Sequence, residues 1–430
     1  HFNIGIGKES EKTQSSASSQ DSKLGYKIQR DKWLTNKVLD LLELDIASWA
    51  TITCEEDLPK VAKEIGFPMV IKPAGLTGGA CVKVGIKDYK ELKDTYKSVL
   101  VELIGREKGK SNYTYQPYQK QIIAQKMVSG KDFRILVING KVEIVTNRIP
   151  ARVVADGKNS IEKLIEKENL DPRRDISLPT HTLKPIKIDE TLEKIVKEQG
   201  YIMSDIPQKG KVVYVRKVAS MSQGGITEDY TDKTHPQIKS ICESIAQTIH
   251  SYVLGIDVLC EDISKPLTPK NGCIIEVNTM PESYLNAFPV IGKQYPDIGE
   301  KIVRGLIDPK THTNRVTIVG SISKEKAMKL VRKNLSETGK VGLLEDRSIY
   351  IDGQLINNDV DISDGILALK RNKTLDTIVI HLEDEKGVVK YGFGFDTLDV
   401  LAYDKSVSEV FEEKVNTYHK AKHISKIIIL

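Results

Sequence analysis

Two hydrophobic periods alternate along this chain, and the points where one gives way to the other mark its elements. From Arg30, RDKWLTNKVLDLLEL turns helical, with Trp33, Val38, Leu41 and Leu42 recurring at roughly helical spacing. EEDLPKVAKEIG predicts a second helix stopped by Gly66, and FPMVIKP a short buried strand. The small-residue turn AGLTGGA and a strand, CVKVGI, follow. Residues 87–107 predict a helix and KSNYTYQPYQ a loop. QIIAQKM, DFRILVING and KVEIVTNRI are strands, with Asn139-Gly140 a strong hairpin signal between the last two. SIEKLIEKENL and HPQIKSICESIAQTIHSYV read as helices, and KVVYVRKVA, GIDVLCEDI and GCIIEVN as strands, with His235 a helix-start residue rather than a base.

After Pro309 strands and helices alternate through VTIVGSISKEKAMKLVRKNLSETGKVGLLE, TIVIHLE and DVLAYD, the pattern of a small parallel α/β unit. The boundary is placed near residues 308–314, giving segments 1–23, 24–310 and 311–430. The Ser-rich EKTQSSASSQDSK near the start reads as a linker or mobile loop.

One strand raises a chemical question. In GCIIEVNTMPES, alternation puts Ile274, Glu276 and Asn278 on one face and Ile275, Val277 and Thr279 on the other. A carboxylate in so apolar a strand is costly to bury unless it is paired or metal-bound.

Composition narrows the classes. The formal charge of +5 is interleaved rather than blocked, which gives no argument for nucleic acid and suits acidic or phosphorylated small molecules. The five cysteines form no CxxC pair and read as free thiols. No apolar run reaches bilayer length and no leader is evident, so the expectation is a cytoplasmic protein without membrane partners.

Three clusters could carry chemistry. In VIKPAGLTGGACVKV, Lys72 ends a buried strand and Gly78-Gly79 could approach phosphate oxygens, or the segment is a hairpin turn with a solvated lysine. Arg134, Arg148 and Arg152 share a hairpin with Asp132, and they could clamp an anion or pair across an exposed sheet face. Asp257, Glu276 and Asn278 offer oxygen ligands from two strands, which suits Mg²⁺; zinc is excluded because no Cys or His has ligand spacing there.

The order Lys, Gly turn, arginine hairpin, Asp strand and Glu-x-Asn strand resembles the ATP-grasp carboxylate–amine ligases. Within them RDKWLTNKVL, FPMVIKP, SGKDFRILVINGKV, RIPARVVADGKNSIEKLIE, DPRR, SMSQGGITEDYTDKTHP, GIDV and IIEVN are similar to the central domain of cyanophycin synthetases, and glutathione- and D-alanine-ligase relatives are more distant. The resemblance implies an α/β (α+β) ATP-grasp fold, ATP and Mg²⁺ as cofactors, and ADP-forming amide-bond synthesis through an acyl-phosphate. Its substrates would be amino acids or β-Asp-Arg-type dipeptides joined to a peptide carboxylate. The alternatives are a non-catalytic ATP-binding subunit and a glutathione-synthetase-like ligase. A homo-oligomer, dimer or tetramer, is expected.

Carried over residue by residue, Lys37 and Lys72 match the ATP-phosphate lysines, and Gly78 and Gly79 the loop over the phosphates. Gln125, Lys126, Met127 and Val128 match the adenine-side linker. Arg148 and Arg216 match arginines near the γ-phosphate and acyl-phosphate, and Ser222, Gly224 and Gly225 the acceptor-carboxylate loop. Asp257, Glu276 and Asn278 match the metal ligands. Gln125, Ser220 and Glu282 depart from the usual Glu, Asn and Gly. The C-terminal segment resembles a short, degenerate Mur-ligase-like domain, in which GSISKEK lacks the second glycine and metal-binding threonine of a phosphate loop, at Ser323 and Glu325.

Overall fold

The computed structural model describes residues 2–14, 16–44, 47–76, 81–108, 121–279 and 281–430. These form two compact units, residues 15–302, and residues 303–430 together with 1–14.

The larger unit is organised by two antiparallel sheets. The first has the order Trp49–Ile52, Ile122–Lys126, Met69–Pro73, Lys83–Ile86. Alternation sends Met69 and Ile71 into a core shared with Leu58, Val61 and Ile65 of one helix and Leu92, Tyr96 and Val99 of another. Val70 and Lys72 point the other way. Gly66 ends the first of these helices at φ +68°, a conformation open to glycine without strain.

The second sheet has the order Ile226–Asp229, Lys141–Ile149, Lys131–Ile138, Val253–Cys260, Gly272–Thr279. Asn139 and Gly140 join Lys131–Ile138 to Lys141–Ile149 with φ of 49° and 70°, the left-handed pair of a tight hairpin. One sheet face is apolar: Phe133, Ile135, Val137, Val145, Leu254, Ile256 and Val258 pack against Ile238, Cys242, Ile245 and Ile249 of the helix Pro236–Ile249. His235 opens that helix as expected, its Nδ1 accepting from the Gln237 amide at 3.2 Å.

Simple alternation fails in the last strand. Both Ile274 and Val277 belong to the apolar core, three residues apart, because the pairing slips between Asp257 and Val258. Asp257 stands opposite Glu276 and Val258 opposite Ile274, which leaves Ile275 as the extra residue of a β-bulge. The bulge lets the strand keep both isoleucine and valine inward while Glu276 and Asn278 face the other side. The helix expected from Arg30 starts at Lys32, and a separate helix that the hydrophobic period did not mark precedes it. Asp31 separates Lys23–Arg30 from Lys32–Leu41 and caps the second by accepting the Trp33 and Leu34 amides, at 2.9 and 3.2 Å. Leu39 is the buried leucine of this segment, and Leu41 is 84% exposed.

In the smaller unit, Asn314–Val319 runs parallel to Thr377–Leu382 and Leu398–Tyr403, which continue to Val341–Glu345 on one side and Ile424–Ile429 on the other. An antiparallel hairpin, Ser348–Ile351 and Gln354–Asn357, extends the sheet. Part of the expected Ser-rich linker is ordered: Glu11–Gln14 pairs antiparallel with Phe2–Ile4. Glu9 is buried and holds the Thr313 amide at 2.7 Å and the Arg315 guanidinium at 2.9 Å. Among the described residues no helix is long and apolar enough to cross a membrane.

None of the five cysteines is in a disulfide, and Cys54 is exposed while Cys81, Cys242, Cys260 and Cys273 are buried. A hydrogen bond with Glu56 pushes the Cys54 thiol pKa above its ordinary value, and burial pushes Cys273 up to about 11. The thiolate is the reactive form. Native protein should therefore take up one equivalent of iodoacetamide, at a rate still climbing above pH 9, and five equivalents in denaturant. Fast uptake of a second equivalent by native protein would contradict this burial pattern.

Candidate active site

The polar face of the five-stranded sheet collects charges in register. Asp257 is the Cα partner of Arg134 on one neighbour and of Glu276 on the other. Asp132 is the partner of Arg148, and Gly255 of Asn278. Paired residues of adjacent strands share a face, so the hairpin arginines and the acidic strands meet at one place.

Asp257, 3% exposed, is the hub. Arg134 grips it through Nε and also through Nη2 at 3.3 Å, and Arg148 donates to it at 2.9 Å. The Asn278 amide lies 3.4 Å away. Arg148 also binds Asp132, at 2.6 Å. Burial works to raise the Asp257 pKa, but the two guanidiniums overcome it and hold the carboxyl below its ordinary value. For Asp132 burial wins over Arg148, with Asp257 adding repulsion, and its pKa is raised. Gly255 makes room for this network, since a Cβ there would sit 2.9 Å from Pro281 and 3.0 Å from the Arg134 guanidinium.

Two lysines complete the site. Lys72 leaves the first sheet on the side away from its core and donates to the carbonyl of bulge residue Ile275 at 3.2 Å. Burial, with Lys32 adding repulsion and Glu276 opposing, brings its pKa down to about 8. Lys32 begins the helix that Asp31 caps, donating to the Leu76 carbonyl at 2.5 Å and pairing with Glu276 at 3.0 Å. Glu276 thus holds a lysine from outside its own sheet, and the bulge aims both the carboxylate and the neighbouring carbonyl at ammonium groups.

Lys37 is elsewhere. It is exposed, with its ammonium 5.1 Å from the Trp49 ring centroid and 5.8 Å from Trp33. At 3.6 residues per turn, five positions carry it to the far side of the helix from Lys32. The sequence signal for Lys32 was its place directly after a capping Asp, where a side chain leans back past the helix start.

Gln125 is buried at the end of the strand Ile122–Lys126, and its Nε2 has no partner among the described residues. The Lys126 and Met127 amides donate to the Ser48 and Pro68 carbonyls at 2.8 and 3.1 Å, and Val128 continues the chain. Gly78 and Gly79, like the loop 110–119, lie outside the described residues.

Arg216 is held by other partners than Arg148. It is 5% exposed and pairs with Asp189 at 2.7 and 3.0 Å and with the Lys187 carbonyl at 2.8 Å. Its amide bonds Ala151, three residues beyond Arg148. With Ser222, Gln223, Lys187, Asp189 and Thr191 it lines a polar cavity of about 290 Å³. Ser220 and Ser222 share a hydrogen bond of 2.8 Å. Gly224, at φ +90°, presses on Ile186, and Gly225 on the carbonyls of Ser220 and Ile149, so neither position has room for a side chain. The strand Ile226–Asp229 that follows places Thr227 opposite Arg148, connecting this loop to the arginine hub. Glu282 is exposed and caps nothing.

Asp257, Glu276 and Asn278 suit a hard divalent cation, with two carboxylates in register on adjacent strands and a carboxamide beside them. Among the described residues no three His, Cys, Asp or Glu side chains gather as a cage. A cation here would therefore need the ligand's own oxygens as well, and Asp257 would have to release part of its hold on the arginines.

No family model matches the chain. It is 30% identical over 403 residues to a cyanophycin synthetase of Synechocystis sp., which spans 92% of this chain and 44% of that protein. The cyanophycin synthetase of Crocosphaera subtropica is 30% identical over 433 residues, 99% of this chain and 48% of the relative. The chain thus spans under half the length of these relatives. A glutathione biosynthesis bifunctional protein of Clostridium perfringens matches 55% of this chain at 31% identity, covering 28% of that protein. Among solved structures, a bifunctional glutathione synthetase from Pasteurella multocida superposes with a TM-score of 0.54 and 24% identity, over 71% of this chain and 39% of the other. The chain is a homologue of the cyanophycin synthetases and carries the ATP-grasp fold.

Proposed function

We propose that this protein is an ATP-dependent carboxylate–amine ligase that forms amide bonds through an acyl-phosphate. The observation that carries the reading is the convergence of Lys32 and Lys72 on the Glu276 strand, beside the Arg134–Asp257–Arg148 hub. Phosphoryl transfer is chiefly positioning and charge stabilisation, and clustered cations on rigid strands supply both.

In this reading Lys72 and Lys32 take the β- and γ-phosphates. The substrate carboxylate attacks the γ-phosphorus, giving an acyl-phosphate and ADP. The amine then attacks the acyl carbon, a proton leaves the nitrogen, and inorganic phosphate departs. Arg148 lies where negative charge develops, and Arg216 with Ser222 holds the acceptor end. Gln125 to Val128 border the base. Asp257, Glu276 and Asn278 would hold Mg²⁺, which neutralises phosphate charge when bound. The resemblance to carboxylate–amine ligases points to amino acids or short peptides as substrates, and we propose a homo-oligomer as the working form. The segment 311–430, read as a degenerate Mur-ligase-like remnant, would serve assembly rather than catalysis.

ADP release is measured with a panel of amino acids and dipeptides, and the products are identified by mass spectrometry. An amide product with stoichiometric ADP is expected. A stable phosphorylated product, or ATP binding with no ADP release from any substrate, overturns the reading. Lys32→Ala should lower kcat/KM by about a hundredfold or more, and Lys37→Ala should stay within about twofold of wild type, because only Lys32 faces the site.

A further inference from the structure

Arg174, in the DPRR sequence, is 4% exposed and has no ion pair with a carboxylate among the described residues. Its Nη1 donates to the Lys184 carbonyl at 2.6 Å and to the Gly224 carbonyl at 3.0 Å, and its Nε has no partner among the described residues. Of the acids near it in sequence, Asp171 is taken by Arg173 at 2.6 Å, and Asp175 accepts from the Ser177 amide and hydroxyl at 2.9 and 2.7 Å. Burial accordingly pulls the Arg174 pKa below that of an ordinary arginine, with Glu168 and Asp171 drawing it partly back.

A charge buried against carbonyls alone is a poor way to gain stability, since an apolar side chain of similar volume does as well or better. The position of the two carbonyls gives it another use. Lys184 leads into Lys187, Asp189 and Thr191, one wall of the 290 Å³ cavity, and Gly224 follows Ser222 and Gln223, another wall. The first wall is fastened behind the cavity. Asn169 exchanges two hydrogen bonds with Ile186, at 2.8 and 2.9 Å, and the Thr182 and Leu183 amides donate to Arg173. The second wall is a single 3₁₀ turn, Met221–Gln223, ending at a left-handed glycine. Such a turn has little rigidity of its own.

We propose that Arg174 is the positioning residue of the acceptor cavity, a guanidinium that fixes the Ser222–Gly225 turn against the Lys184–Thr191 segment. The assignment of the cavity to the acceptor rests on the ligase reading. The clamp itself does not. Arg174 touches no reacting atom; it acts through Gly224 on the hydroxyl of Ser222.

Arg174→Met keeps the apolar stem and removes both bonds. In ADP-release kinetics it should raise the acceptor KM at least tenfold while the ATP KM stays within twofold. In Arg174→Ala, millimolar methylguanidinium should restore at least part of the acceptor KM. The second measurement needs no turnover. Amide hydrogen exchange in peptides covering 182–187 and 220–226 should quicken at least tenfold in Arg174→Met, with 131–149 unchanged. Unchanged exchange in both peptides overturns the clamp. Faster exchange with equal rises in both KM values overturns the link to the acceptor. If wild type turns over no substrate, the ligase reading fails and exchange alone decides the clamp.

Discussion

Asp257→Ala will cost the larger unit about 3–5 kcal/mol of stability, read as a lowered midpoint in chemical denaturation, because it strands Arg134 and Arg148 without their shared carboxylate. The guanidiniums lie within hydrogen-bond reach of one carboxylate that is 3% exposed, and neither can lose its proton. Asp257→Asn should fall between, keeping shape and an acceptor but losing the charge. The sign of the pH dependence follows from the lowered pKa of Asp257. Its contribution is complete above the ordinary carboxylate pKa of about 3.9 and is lost as pH falls through the lower folded value. Acid unfolding of wild type should thus include an Asp257 component below about pH 4, absent from Asp257→Ala. An Asp257→Ala protein as stable as wild type at pH 7 would show that the hub does not hold the sheet together.

Lys72→Met should abolish turnover, lowering kcat/KM by about a thousandfold or more, while the unfolding midpoint rises. The two effects have one cause. Burial brings the Lys72 pKa down to about 8, so its ammonium stands under electrostatic stress, eased by Glu276 and the Ile275 carbonyl. Phosphate oxygens would relieve that stress, and a methionine removes it without supplying a cation. Sites selected for function commonly carry such a cost in stability. Scanning calorimetry and coupled ADP release on the same preparation test both halves. A Lys72→Met protein that retains turnover removes Lys72 from the chemistry, and one that melts earlier shows that the lysine is chiefly a packing residue.

Much of this was legible in the chain. Period and capping chemistry gave the elements: Asn139-Gly140 the hairpin, Gly66 a helix stop, and His235 the start of the helix behind the sheet. These are local choices, made by residues within a turn or two of one another. The buried strands around Asp257 and Glu276 were legible for the same reason, because alternation and apolar flanks are written in order. The residue types a phosphate site needs were also visible, and their order carried the resemblance.

Long-range pairing decided the rest. Which lysine meets Glu276 depends on how Asp31 starts a helix against the loop after Lys72, and five residues of difference move an ammonium from the site to the Trp33 and Trp49 rings. The bulge at Ile275 is set by the strand it pairs with, and it alone reconciles Ile274 and Val277 in one core. Arg134, read from sequence only as one of several hairpin arginines, became half of the Asp257 hub through a register set by the sheet. Arg174 gave no usable signal, since its meaning lies in two carbonyls at residues 184 and 224. The sequence by itself determined the elements and the chemical inventory, because both are local. The tertiary structure decided which members of that inventory share a site, because charge pairing falls off over a few ångströms and only the fold brings distant residues that close.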